Sequence, residues 1–222
     1  MGKGIHPSGY SNILVSSIII ILLSTGIVLI PIYLFIKIIA ILSAIILILW
    51  VVLFFRKPKK IVESPIDDII YSPAFGEVVV IEKIFEDKYF NEERIQLSIF
   101  MSMSSIHLNF MPCNGKLLKK EHQRGHNYHA RKAKASMLNE MSTLIIQSNT
   151  GKQLLMRQIA GAMARRVITF INENEYAKAG DTIGVIRFGS RVDLLLPIDT
   201  ELYVNLGDKV KGGWTQLGKL KY

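Results

Sequence analysis

The pair Gly189-Ser190 is where residue type and spacing in this chain permit a bond-breaking reaction of the backbone itself. Glycine lets the peptide distort and leaves its carbonyl open to approach, and the hydroxyl of the next residue is the nearest nucleophile. Attack of Ser190 Oγ on the Gly189 carbonyl exchanges the amide for an ester, and β-elimination then breaks the chain. Taken alone, the same pair reads as a tight connection in a β structure with Ser190 as a turn serine. His107 follows an alternating apolar stretch and could orient a substrate or donate a proton near neutral pH, although an isolated histidine after a strand is usually structural. His122, His126 and His129 have intervals reminiscent of metal ligands. Gly125 interrupts any helix that would align them, and the interval Lys119–Lys134 is crowded with positive charge, so we read a solvated basic loop and no metal site. Cys113 is the only cysteine, which excludes an intramolecular disulfide and a cysteine-rich metal site; no base is placed near it by sequence. No phosphate-binding glycine loop is present.

The elements that must position these groups begin with an apolar front. Residues 13–55 hold one charge, Lys37, and all 18 acidic residues lie beyond them. A membrane span needs about 20 apolar residues, so this stretch has room for two. We expect spans at Ile13–Ile30 and Ile38–Phe55, separated by a break at Pro31–Lys37, after an N-terminal tail of residues 1–12. The apolar run is too long for a signal peptide. Arg56, Lys57, Lys59 and Lys60 follow directly and keep that end on the cytoplasmic side, so the hairpin leaves both chain ends in the cytoplasm, whereas the rival reading, one long tilted helix, places the N-terminus outside. The remaining part, residues 56–222, is about +7 of a total of +9, which suits an anionic membrane surface. Its basic residues are dispersed and no nucleic-acid motif accompanies them, so nucleic acid is not an expected partner.

Beyond Ser64-Pro65 and Ser72-Pro73 the pattern turns to strands: Glu77–Ile84, Arg94–Met103 with Ile95, Leu97, Ile99 and Met101 on one side, and a hairpin of Ser142–Gln147 with Gln153–Arg157 about Asn149-Thr150-Gly151. Short strands are expected at Ile183–Phe188, Val192–Leu196 and Glu201–Asn205, and one short helix at Ile159–Asn172 with Ile159, Met163, Val167 and Phe170 inward. The fold class is mainly β (α+β). Gly180-Asp181 and Gly207-Asp208 read as two tight turns, and they resemble the turns of barrel-sandwich domains; no attachment lysine for a swinging arm accompanies them.

The run Arg187-Phe188-Gly189-Ser190 into Val192-Asp193-Leu194-Leu195-Leu196-Pro197 resembles the self-cleavage site of phosphatidylserine decarboxylases, in particular the short, membrane-anchored form. Further segments stand in that family's order: Ser72-Pro73-Ala74 with Gly76, Ile99-Phe100-Met101-Ser102, Ile106-His107-Leu108-Asn109, Pro112 through Gly115, Asn139-Glu140, Arg157-Gln158-Ile159-Ala160-Gly161, and Leu206 through Gly213.

The resemblance implies a barrel-sandwich-like β domain behind a transmembrane hairpin, cleaved between Gly189 and Ser190. Residue 190 then loses ammonia to become a covalent pyruvoyl group, the cofactor, which forms a Schiff base with phosphatidylserine and yields phosphatidylethanolamine and CO₂. It further implies that the large and small chains stay associated, a possible homodimer, and a place in the cytoplasmic (inner) membrane with the domain on the cytoplasmic face. By the same resemblance His107 is catalytic beside the pyruvoyl group. Arg191, Arg157 and Asn109 are candidate substrate contacts, the arginines for lipid phosphate. Three positions depart from the family pattern. Phe75 stands where an aspartate usually follows Ser-Pro-Ala, Phe110 where the long enzymes place a histidine, and Met141 where arginine commonly follows Asn-Glu. Neither phenylalanine can carry a proton, so either another base, such as His107, drives processing, or the chain is a processing-defective homologue serving as a membrane-tethered lipid-binding or adaptor module.

Overall fold

The computed structural model describes residues 4, 5, 7–56, 58, 62–102, 105–126, 128, 138–161, 166–186 and 189–221. The chain divides into two compact units, residues 1–59 and 60–222.

In the first unit, helices α1 (Tyr10–Leu29) and α2 (Leu34–Phe54) are each long and apolar enough to cross a membrane. Most of their apolar side chains are exposed: Leu22 and Leu23 are each 66% exposed and Leu34 73%, while Ala44 and Phe54 are buried. Helices apolar all round suit lipid, where a soluble surface helix would show one polar face. The break falls at 30–33, earlier and shorter than expected. Pro31 disfavours the helical conformation for the residue before it, and Ile30 is extended (φ −72°, ψ 142°). Lys37 consequently lies in the first turn of α2 and not in the break.

The second unit contains fourteen strands among its described residues: β1 (Ile69–Tyr71), β2 (Gly76–Glu86), β3 (Glu92–Met101), β4 (Leu108–Phe110), β5 (Gly115–Gln123), β6 (Met141–Ser148), β7 (Gln153–Ile159), β8 (Val167–Thr169), β9 (Tyr176–Ala177), β10 (Thr182–Ile186), β11 (Ser190–Pro197), β12 (Glu201–Leu202), β13 (Lys209–Val210) and β14 (Gln216–Lys219). Eight of them form an antiparallel sheet in the order β13-β2-β3-β11-β7-β6-β5-β9. Two three-stranded sheets, β1-β14-β12 and β4-β10-β8, complete the unit. The architecture is mainly β, as the alternating pattern required.

One face of the large sheet carries the core. Ile95, Leu97, Ile99 and Met101 of β3 alternate inward beside Val192, Leu194 and Leu196 of β11 and Leu154 and Met156 of β7, all within one buried cluster. Val167 of β8 and Ile183 and Ile186 of β10 belong to the same cluster, so the β4-β10-β8 sheet covers that face. Gly184 permits the approach: a β-carbon there would overlap the Gln158 side chain and meet the Ile168 carbonyl at 2.7 Å.

The short helix expected over 159–172 is a correction where it can be compared. Ile159 ends β7, paired to Arg191 and Met141, and Val167-Ile168-Thr169 pairs with Ile186, Val185 and Gly184 of β10. A run of three β-branched residues beside an unpaired strand edge gains more as a third strand than as a helical turn. Residues 162–165 of that segment lie outside the described residues.

Candidate active site

Ser190 opens β11, the strand flanked on both sides by β3 and β7 near the middle of the large sheet. Its Cα pairs with Met101, and its side chain lies in the inward phase shared with Val192, Leu194 and Leu196. The residue is fully buried, and Oγ donates to Met101 Sδ at 3.3 Å. A thioether accepts and never donates, so the oxygen's lone pairs are not used by this bond. Gly189, just before the strand, has φ +61° with nothing within 4 Å of where a β-carbon would stand. Conformation, not crowding, therefore calls for glycine here.

His107 enters from the other side. It lies just ahead of β4, and its carbonyl accepts from Ile186 N at 3.2 Å, at the end of β10. The strands thus bring His107 to the end of β10 that leads toward Gly189-Ser190. The ring is 1% exposed, and Nδ1 lies 2.7 Å from the Ser105 carbonyl. A carbonyl only accepts, so Nδ1 carries the proton and Nε2 is the basic nitrogen. Burial pushes the imidazole down to about 4, the bond to Ser105 opposing that shift, so His107 is neutral at physiological pH.

Asn109, two residues on, is fully buried on β4 against Gly184 of β10. Its Nδ2 donates to the same Met101 sulfur at 3.7 Å, and its Oδ1 accepts from Gln158 Nε2 at 2.8 Å. Gln158 Oε1 is 2.6 Å from Thr169 Oγ1, which is 3.0 Å from Ser142 Oγ. Reading the motifs in order did not single out Gln158, Thr169 and Ser142. A signal was present: Leu154, Met156 and Gln158 alternate along β7, so a glutamine occupies a core-facing phase, as Ser190 does on β11.

Arg191 and Arg157 lie elsewhere. Arg191 follows Ser190 and so points to the opposite face of the sheet, where its Nε and Nη2 reach the two Asp193 carboxylate oxygens at 2.8 and 3.0 Å. Both side chains are buried. Arg157, paired across from Asp193, lies 3.4 Å from the buried Glu86 carboxylate. The structure therefore brings Ser190, Gly189, His107 and Asn109 to one region and leaves the two arginines on the other face.

Phe75 and Phe110 meet edge to face with ring centroids 5.9 Å apart. Pro73 and Phe110 are joined by a 2.9 Å backbone hydrogen bond, and Gly212 leaves room for both rings. An aromatic contact thus occupies the two positions where the resemblance led us to expect an aspartate and a histidine. Asn139, from the Asn-Glu motif, is a structural tie: its Nδ2 donates to the Ala160 and Tyr128 carbonyls at 2.7 Å each. Cys113 is buried and its thiol pushed up to about 12 by burial, with Asp67 adding to the shift. Among the described residues no three His, Cys, Asp or Glu side chains gather as a metal ion would require; His129 lies outside them.

The fold and site define a class: a mainly β domain that follows two helices long and apolar enough to cross a membrane, with a fully buried serine after a left-handed glycine. The family model described as phosphatidylserine decarboxylase matches residues 47–218. The chain is 42% identical over 168 residues to the phosphatidylserine decarboxylase proenzyme of Bacteroides thetaiotaomicron, covering 76% of this chain and 74% of that one. It is 38% identical to the proenzymes of Phocaeicola vulgatus (98% of this chain, 95% of the relative) and Cytophaga hutchinsonii (97% and 98%). No solved structure matches it significantly. The chain belongs to the phosphatidylserine decarboxylase family.

Proposed function

We propose that this chain is a proenzyme that cleaves itself between Gly189 and Ser190 and then decarboxylates phosphatidylserine to phosphatidylethanolamine. The observation that carries the reading is Ser190, buried beside a left-handed Gly189 with its hydroxyl given to a thioether. Ser190 Oγ attacks the Gly189 carbonyl; the C–O bond forms, the C–N bond breaks, and the freed nitrogen takes up the proton. Removal of the Ser190 Cα proton expels the Gly189 carboxylate and leaves a carbon–carbon double bond at residue 190. Tautomerisation to an imine and addition of water release ammonia and leave a pyruvoyl ketone as the new N-terminal residue.

The residues present fit such a group: Ser190 is fully buried, Asn109 of β4 donates its amide to the same Met101 sulfur, and the neutral His107 imidazole lies just ahead of β4. When formed, the ketone supplies an electron sink for the pair released as CO₂ departs. His107 Nε2 moves the protons, taking one in self-cleavage and returning one to carbon in turnover. Asn109 is the proposed contact on the substrate side. Arg191 and Arg157 are each engaged by a carboxylate, and we assign them to holding the sheet. The small chain, 33 residues from Ser190 onward, stays bound because β11 is hydrogen-bonded to β3 and β7, β13 to β2, and β14 to β1. The two apolar helices fit an anchor in the cytoplasmic membrane with the β domain on its cytoplasmic face, where a lipid substrate arrives by diffusion in the plane.

Intact mass of the purified full chain tests this. Two fragments split at Gly189/Ser190, the smaller blocked at its N-terminus and reactive with borohydride, are expected, and Ser190→Ala should abolish both the split and CO₂ release. CO₂ release that survives in Ser190→Ala refutes the pyruvoyl route. A wild-type chain that stays at 25.1 kDa instead fits a processing-defective tether, the reading that the Phe75–Phe110 contact favours.

A further inference from the structure

Five side chains form a continuous line that ends at residue 190: the buried Ser142, the half-buried Thr169, and the buried Gln158, Asn109 and sulfur of Met101, which also receives Ser190 Oγ. The polarity of this line is fixed at one end. The Met101 thioether has no proton, so the Asn109 group facing it is the NH₂ and Oδ1 faces Gln158. Gln158 must then present Nε2 to Asn109 at 2.8 Å and Oε1 to Thr169 at 2.6 Å. Thr169 has one hydroxyl proton and gives it to Gln158 Oε1, so at the 3.0 Å contact it accepts from Ser142. Turning either amide over would set acceptor against acceptor, or donor against donor, between the fully buried Asn109 and Gln158, a mismatch that leaves a buried group unsatisfied. Gly184 packs directly against the Gln158 amide and keeps it from swinging.

We propose that Gln158 is a positioning residue for the reactions at residue 190: held by Thr169 and Ser142, it locks the Asn109 amide so that N–H groups, and not the carbonyl, face the Met101–Ser190 position. A donor there favours oxygen bearing negative charge, as the attacking Ser190 oxygen does in self-cleavage, and a carbonyl turned the same way repels it. This inference rests on the proposed self-cleavage.

The test uses the full chain, freshly translated into vesicles of phosphatidylethanolamine and phosphatidylglycerol, with the split at Gly189/Ser190 followed on denaturing gels at pH 8 and pH 5.5. In Gln158→Glu the carboxylate at pH 8 can only accept, so Asn109 turns its NH₂ toward it and its carbonyl toward Ser190. Cleavage should slow roughly ten- to a hundredfold against wild type at that pH. At pH 5.5 a buried carboxyl is protonated and donates as the glutamine does, so the rate should return to within about threefold of wild type at the same pH. The residues that meet Gln158 from β4, β8 and β10 are Asn109, Thr169 and Gly184, its partners across β6 and β11 are Ser142 and Val192, none of them is titratable, and His107 keeps its neutral form at both pH values. A folded Gln158→Glu whose rate relative to wild type is the same at both pH values overturns the proposal, because lost packing alone has no such pH dependence. If that variant does not fold, Thr169→Val and Thr169→Ser decide: slow cleavage in Val with recovery in Ser supports the line, and equal rates overturn it. A wild-type chain that never splits removes the parent reading and this inference with it, whereas a cleaving wild type with an indifferent Gln158→Glu removes only the role of Gln158.

Discussion

His107 gives a stability prediction whose sign and size both come from its burial. The ring is 1% exposed and titrates near 4, against 6.5 for an unperturbed histidine. Between those two values the unfolded chain binds a proton that the folded chain refuses, so stability rises with pH across that window. The contribution is fully present above about 6.5, falls as pH drops, and is exhausted near 4. A difference of about 2.5 pH units corresponds to about 3 kcal/mol. For a chain of this size that is a shift in melting temperature of about 6–12 °C. The assay is thermal unfolding of the Ser190→Ala chain in detergent, where no cleavage intervenes, with and without His107→Gln, at pH 7.5 and 4.5. The histidine chain should lose more of its melting temperature than the glutamine chain on acidification, by most of that margin. Equal losses would show that His107 is not held neutral by the fold, and the assignment of Nε2 as a base at physiological pH would go with it. With His107 moving protons in turnover as proposed, a pH–rate profile of decarboxylation is expected to show its acid limb near pH 4, and a limb near 6.5 would refute that role.

Two further outcomes follow from the geometry at the start of β11. Gly189→Ala places a β-carbon on a backbone with φ +61°, in open space but at a strain of about 1–2 kcal/mol, and should slow self-cleavage on denaturing gels while leaving a Ser190→Ala chain only that much less stable. Asp193→Ala strands the buried Arg191 guanidinium and should destabilise by about 3–5 kcal/mol in thermal unfolding, whereas Arg191→Met with Asp193→Leu should recover most of the loss; an Asp193→Ala chain as stable as wild type would mean the pair is hydrated and the arginine available for lipid phosphate.

What was legible in the sequence was local or periodic. Alternation of Ile95, Leu97, Ile99 and Met101 fixed the inward face of β3, and the Asn149-Thr150-Gly151 turn marked the β6–β7 hairpin, because side chains on a strand point to opposite faces in turn. The apolar run 13–55 marked the two helices on length and composition, although the break covers residues 30–33 and not Pro31–Lys37, so that the second helix begins four residues before the expected Ile38. The stretch Val167–Thr169 was misread because helical spacing and a short β-branched run are indistinguishable until a partner edge is known, and that edge, β10, arrives from later in the chain. The chain order also names Ser190, His107 and Asn109 as residues of one family pattern without saying how far apart they lie.

The sequence by itself determined that residue 190 is a serine after a glycine, that a β domain follows two lipid-compatible helices, and that phenylalanines stand at positions 75 and 110. Only the tertiary structure decided which side chains share a space with that serine. Register between β3, β11 and β7 aligns Met101 with Ser190 and Gln158 with Val192, and the covering strands β4 and β8 add Asn109 and Thr169. The physical reason is that hydrogen-bond polarity is a property of a closed, dry arrangement: an amide's donor or acceptor end is chosen by its neighbours, and strand pairing across long stretches of chain supplies those neighbours.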